Sequence, residues 1–192
     1  MAVFAAGLAL VAGLVVVGWY VAATRVETPS YAVERSEGPF ELRRYPSLVA
    51  AGIDRDGNRE AAVRSAFSPL ARYIFARDRE GAKIAMTAPV TQEPAGEGWR
   101  VRFLMPAGLS LDSLPMPAGP VALEVLPPKR LAAMRFSGRW TDSAFEGAAA
   151  RLAAWMGTVG LEPAGPPAYA YYNDPFTPAF LRRNEVLVPV AD

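Results

Sequence analysis

The chain has 192 residues, 52% hydrophobic and 20% charged, with 20 Lys and Arg against 19 Asp and Glu and a net charge of +1. That length suits one domain with its own core, and so balanced a charge offers no basic field to capture nucleic acid or an anionic membrane. With no Cys and no His, the fold cannot depend on disulfides, and thiolate chemistry, His-based zinc sites and Ser-His-Asp systems are excluded.

Met1 to Thr24 carries no charged side chain, and Val3 to Ala23 is rich in Ala, Val, Leu and Gly, with Trp19 and Tyr20 near its far end. About 20 apolar residues suffice to cross a bilayer, and aromatics favour its interface, so residues 1–25 read as an uncleaved membrane anchor attached through residues 3–23. A cleaved signal peptide is the rival reading, because Val21-Ala22-Ala23 supplies small residues although a basic n-region is missing. One apolar segment ahead of one compact domain, residues 26–192, predicts an exported, periplasmic or otherwise extracytoplasmic domain. Arg25, Arg35, Arg43 and Arg44 leave a cytoplasmic domain as the alternative.

Strand and helix signals then alternate. Tyr31 to Arg35, Phe40 to Arg44 and Leu48 to Ile53 are short β-like runs separated by Ser36-Glu37-Gly38-Pro39 and by Pro46. Asn58 can cap a helix running to about Ala76, with Ala62, Ala66, Phe67, Leu70, Tyr73 and Ile74 on one stripe and a kink expected at Pro69. Further strands are predicted at Ile84 to Val90, Trp99 to Met105, Val121 to Leu126 and Arg130 to Phe136. A second helix starts near Thr141 or Asp142, turns Phe145, Ala148, Ala149, Leu152, Trp155 and Met156 inward, and ends by Gly157 or Gly160. Ala168 to Tyr172 and Glu185 to Val190 complete the strands, with Tyr169, Tyr171 and Tyr172 as core and rim.

The unit from Phe40 to Ala76 recurs as Leu123 to Met156 at an offset of roughly 83 to 85 residues. Leu48 and Ala50 fall on Leu131 and Ala133; Phe67 and Leu70 fall on Leu152 and Trp155. The repeat predicts two ββα halves related by a pseudo-twofold axis, each too small to bury its own apolar face, with a cleft expected at their seam.

Four stretches are more specific: Phe40-Glu41-Leu42-Arg43-Arg44-Tyr45-Pro46, Lys83 to Val90, Phe136-Ser137-Gly138, and Tyr172-Asn173-Asp174-Pro175-Phe176 followed by Arg182-Arg183-Asn184-Glu185-Val186. In this order and spacing, from about Tyr31 to Val190, the chain resembles the SOUL haem-binding protein family. The resemblance implies an α+β fold, a distorted antiparallel β-barrel with two flanking helices, and reversible, non-covalent binding of haem or metal-free porphyrin beside the first helix and near the loop before the final strand. It places Phe67, Leu70, Ala71, Ile74 and Phe176 as candidate walls and Arg64 and Arg72 as partners for the propionates. Ala71 replaces a methionine of the family pocket, and Pro178 stands where a lysine occurs.

A large apolar face with two carboxylates asks for aromatic or aliphatic walls and one or two Arg or Lys. With no His, the commonest axial ligand of haem iron is excluded, so the expected mode lacks a protein ligand to iron; Met86 or Tyr73 would have to supply one. Arg182, Arg183 and Glu185 are expected to form an ion-pair network that sets the last strand. The reading is therefore a tetrapyrrole-binding protein that buffers or carries haem without transforming it. Two alternatives stay open. One is a small-molecule-binding or hydrolytic relative using a buried carboxylate among Glu41, Glu60, Glu124 and Glu185. The other is a membrane-surface interaction module without a ligand, recognisable by a filled seam.

Overall fold

The structure, a computed structural model, describes residues 26–191, so the expected anchor or signal segment lies outside the described residues. Among the described residues, no helix is long and apolar enough to cross a membrane. Nine strands and two main helices follow one another as β1 (Ala32–Glu37), β2 (Phe40–Tyr45), β3 (Leu48–Arg55), α1 (Arg59–Ile74), β4 (Val90–Ala95), β5 (Gly98–Leu104), β6 (Ala122–Leu126), β7 (Lys129–Phe136), α2 (Asp142–Thr158), β8 (Ala168–Tyr171) and β9 (Asn184–Pro189). All strand pairings are antiparallel, in the order β1-β2-β7-β9-β8-β4-β5-β3-β6. The α+β class is as expected. The barrel is not closed, because β1 and β6 end the sheet without pairing to each other.

The strand order is a palindrome around the β4–β8 contact once β1 is set aside. The unit β2-β3-α1-β4-β5 repeats as β6-β7-α2-β8-β9, and the registers repeat with it. Ala50 faces Leu104 as Ala133 faces Leu187. Glu41 faces Ala133 as Glu124 faces Ala50. Val90 faces Tyr171 as Tyr169 faces Gln92, which places the pseudo-twofold axis at the Thr91–Ala170 pair. Each half lends its first strand to the other: β2 pairs with β7, and β6 with β3. Neither half therefore completes its own sheet, as expected of units too small to bury a core alone.

Both helices begin at side-chain caps, where Ala61 N donates to Asn58 Oδ1 at 2.8 Å and Ala144 N to Thr141 Oγ1 at 3.3 Å. Helix α1 packs on β3 and β5, and α2 on β7 and β9. Leu70, Tyr73 and Ile74 enter a core with Ile53, Val101 and Phe103; Phe145, Leu152 and Trp155 enter another with Met134, Tyr171 and Val186. The inward positions that correspond are thus Leu70 with Leu152, Tyr73 with Trp155 and Ile74 with Met156. That corrects the helix alignment of the sequence reading, which set Phe67 on Leu152: Phe67 is exposed and Leu152 is buried.

One further expectation changes. The run from Ile84 to Val90 is an irregular strap, and the strand begins only at Val90. Ile84 N donates to Ile74 O, Thr87 Oγ1 donates to Leu104 O at 2.6 Å, and Pro89 has no N–H for a ladder. Pro69 lies inside α1, which runs as one helix to Ile74; Ser65, whose carbonyl loses its helical donor, lies on the solvent side. Helix α2 closes with Gly160 at φ +71° and Leu161 N on Met156 O at 2.9 Å, whereas α1 makes the equivalent turn with Ala76 at φ +52° and Arg77 N on Arg72 O.

Candidate functional site

The seam between the halves carries a hydrogen-bonded network on its helical side. Arg59 and Asp142, equivalent first residues of the two helices, meet across the axis at 2.6 Å. Arg59 also donates to Tyr171 Oη and to Trp140 O, both at 2.6 Å. Tyr171 in turn donates to Gln92 Oε1 at 2.8 Å, and Gln92 Nε2 returns to Arg59 O at 2.7 Å. Trp140 Nε1 reaches Asn184 Oδ1 at 2.7 Å. Burial pushes the Tyr171 hydroxyl up to about 12 despite the adjacent Arg59, so it remains a donor. Among the described residues, no buried side-chain nitrogen or oxygen lacks a partner. The sequence points to Tyr171 only as core or rim and to Asp142 only as a helix start. The repeat alignment carried the signal, since it sets Asn58-Arg59 on Thr141-Asp142.

Strand alternation sends a second set of charges to the helix-free face. Glu185, fully buried, accepts from Arg43 Nη1 at 2.7 Å and Nη2 at 3.1 Å, from Tyr172 Oη at 2.8 Å and from Arg183 Nη2 at 2.8 Å. Burial raises its carboxyl, but hydrogen bonds and charge from Arg43 and then Arg183 outweigh that and hold it below the usual range. At the equivalent position of the first half stands Arg102, which meets Glu124 at 2.6 Å and Glu93 at 2.7 Å in a more open setting. Arg183 and Glu185 thus form the expected network with Arg43. Arg182 does not join it: its guanidinium donates to Thr177 O and Pro175 O and lies 4.3 Å from the Trp140 ring centre.

The residues assigned to a ligand site divide by helix face. Leu70 and Ile74 point into the core and are closed to any surface ligand. At 100° per residue, Arg64, Phe67 and Ala71 share one flank of α1. Phe67 is 45% exposed, its inner edge against Phe103 at a centroid distance of 5.3 Å, and Arg64 pairs with Glu60 in solvent. Arg72 lies on the other flank, at the rim of a cleft of about 330 Å³ formed with Ser68, Pro69, Tyr73, Asp78, Arg79 and Ala118-Gly119-Pro120. There Arg72 pairs with Asp78, Tyr73 Oη donates to Pro115 O at 3.0 Å, and Arg79 caps the Tyr73 ring. Asp78 and Arg79 belong to the charged run Arg77 to Glu80, which the sequence reading left unassigned. Met86 packs against the first-half core. Among the described residues, no cluster of acidic, His or Cys side chains could hold a metal ion.

Phe176 stands elsewhere, on the loop between β8 and β9. Asp174 Oδ1 accepts from Phe176 N at 2.7 Å and Thr177 N at 2.9 Å, Arg183 N donates to Asn173 Oδ1 at 2.7 Å, and Gly138 N donates to Ala179 O at 2.9 Å. The loop is braced from within and leans on Gly138 and Trp140. Its apolar side chains point away: Phe176 is 94%, Phe180 76% and Leu181 63% exposed.

Several solved structures share this fold. A hydrolase from Listeria innocua superposes with a TM-score of 0.59 at 13% identity, covering 82% of this chain and 94% of that one. The EcmrR C-terminal domain gives 0.61 at 13% identity, covering 84% and 98%. An uncharacterized conserved protein from Listeria innocua gives 0.56 at 14% identity, covering 78% and 92%. At such identities the likeness is one of fold alone. No curated protein matches the sequence. The family model for the SOUL heme-binding protein matches residues 26–189, nearly the whole described domain, and the chain belongs to that family.

Proposed function

We propose that this protein binds a tetrapyrrole reversibly against helix α1 and buffers or carries it as cargo, without a protein ligand to iron and without transforming it. Membership of a haem-binding family carries the reading, and the surface of α1 supplies parts of the right chemistry. Phe67 and Ala71 offer an apolar flank for one face of the macrocycle. Arg64 and Arg72, two turns and about 12 Å apart along the axis, are exposed and would exchange Glu60 and Asp78 for the propionates. A cleft of about 330 Å³ is at the small end of ligand pockets, roughly 300–1,000 Å³. The macrocycle would therefore be gripped along an edge and one face, which suits exchange better than permanent retention.

The carboxylate-base reading loses its best candidate on chemical grounds. Glu185 is held ionised by two arginines and a tyrosine, leaving it neither the basicity nor the free lone pairs of a general base. The test is a titration of residues 26–192 with haemin and with metal-free protoporphyrin, followed at the Soret band. Saturable one-to-one binding of both is expected, and Arg64→Glu with Arg72→Glu should weaken it at least tenfold while the far-UV spectrum stays unchanged. Binding of haemin alone would replace this mode with iron ligation by Tyr or Met. Saturable binding of neither would sink the proposal.

A further inference from the structure

We propose that the loop from Asn173 to Arg183 is a membrane-docking device that inserts Phe176, Phe180 and Leu181 into the lipid interface beside the segment formed by residues 3–23. The inference stands apart from the tetrapyrrole reading and rests on the apolar character of residues 3–23. Its starting point is a contradiction in the loop itself. A flexible loop could fold its phenylalanines inward, yet this one is fixed by Asp174, by Arg182 on two loop carbonyls, and by the Ala179 carbonyl on Gly138. The bracing holds large apolar groups in water, where hydration opposes them.

Where the chain enters the domain selects the occupant. Glu27 O accepts from Ala88 N at 2.8 Å, and Glu27 bridges Thr87 just before β4. The first residue of β4, Val90, pairs with Tyr171, the last residue before the loop segment opens at Tyr172. The described chain therefore begins at the end of β4 from which this loop also springs. Three side chains on a convex tip fall well short of the ~800 Å² per partner of a stable protein–protein interface. For a tethered domain a weak contact suffices, because the tether supplies a high effective concentration of surface. Arg139, exposed beside Trp140, is of the kind that pairs with lipid phosphate above buried aromatics.

The absence of Cys makes the test direct. Phe180→Cys in the full chain carries one nitroxide, and Glu97→Cys, in the β4–β5 turn at the far end of that hairpin, is the control. After reconstitution into phosphatidylcholine vesicles, paramagnetic accessibility is measured with oxygen and with a polar nickel chelate. The oxygen-to-nickel ratio at 180 is expected to exceed that at 97 several-fold, and adding Phe176→Ser and Leu181→Ser should lower it towards the control. Equal ratios at 180 and 97 would overturn the proposal, as would a full chain that does not float with the vesicles. A label at 180 that is immobilised but nickel-accessible, with broadening that grows with protein density, would assign the loop to a second copy and overturn the bilayer as occupant.

Discussion

The first half and the second half share one backbone plan, and they load it differently. In the second half the equivalent of Arg102 is Glu185, sealed beneath Arg43, Arg183 and Tyr172; in the first half Arg102 keeps its acids near solvent. Helix α2 offers Leu152, Trp155 and Met156 to its core, whereas α1, equally well seated through Leu70, Tyr73 and Ile74, also leaves Phe67 and Phe75 partly exposed. Duplication thus supplied a symmetric frame. The candidate ligand surface belongs to the half whose charges remain open, and the sealed network belongs to the half that closes the chain.

The sharpest way to break that comparison is to remove one acid from each of the two networks, the one around Glu185 and the one around Arg102. Glu185→Gln leaves the buried Arg43 with only the partly exposed Glu41, 2.7 Å away, as counter-charge and should cost about 3 kcal/mol, the low end for loss of a buried partner; Glu124→Gln, at a partly exposed pair, should cost about 1 kcal/mol or less. Urea unfolding of both variants checks the contrast, and similar losses would mean that the two networks are not energetically distinct. Acid extends the same test. Because the folded value of Glu185 lies below the ordinary 4.5, its stabilisation is complete above 4.5 and is lost as pH falls through the lower folded value. Glu185→Gln should flatten the fall of stability in that window.

A smaller effect probes the seam. Tyr171→Phe removes an acceptor from Arg59 and a donor from Gln92 in a buried ring of hydrogen bonds, with an expected loss of about 1–3 kcal/mol. Thermal unfolding should remain a single transition, because the exchanged strands β2 and β6 still bind the halves together. The smallest effect restores symmetry: Ala76→Gly gives α1 the residue that α2 uses in its closing left-handed turn and should stabilise by about 1 kcal/mol. A loss of stability there would mean that the Ala76 methyl group contributes packing that the turn geometry does not reveal.

Much of the frame was legible because local signals and tertiary demands agreed. Asn58 and Thr141 announced both helix starts, Gly160 the end of the second, and Leu48-Ala50 against Leu131-Ala133 announced the repeated strand; each follows from capping, backbone conformation or alternation. The strap from Ile84 to Pro89 misled because its apolar run reads as a strand, while its ladder donors are missing at Pro89 and replaced by Thr87 Oγ1. The helix register misled for a related reason. Phe67 is as hydrophobic as Leu152, and only the sheet beneath α1 decides which turn faces inward.

By itself the amino-acid sequence determined the α+β class, the two-part repeat, the family and the exclusion of His and Cys chemistry, because periodicity, caps and residue inventory are local properties. Tertiary structure decided the rest. The exchange of β2 and β6, the meeting of Arg59 with Asp142 at the axis, and the burial of Glu185 all depend on which elements lie side by side. Contacts of that kind are set by packing two incomplete halves into one sheet, and no spacing along the chain encodes them directly.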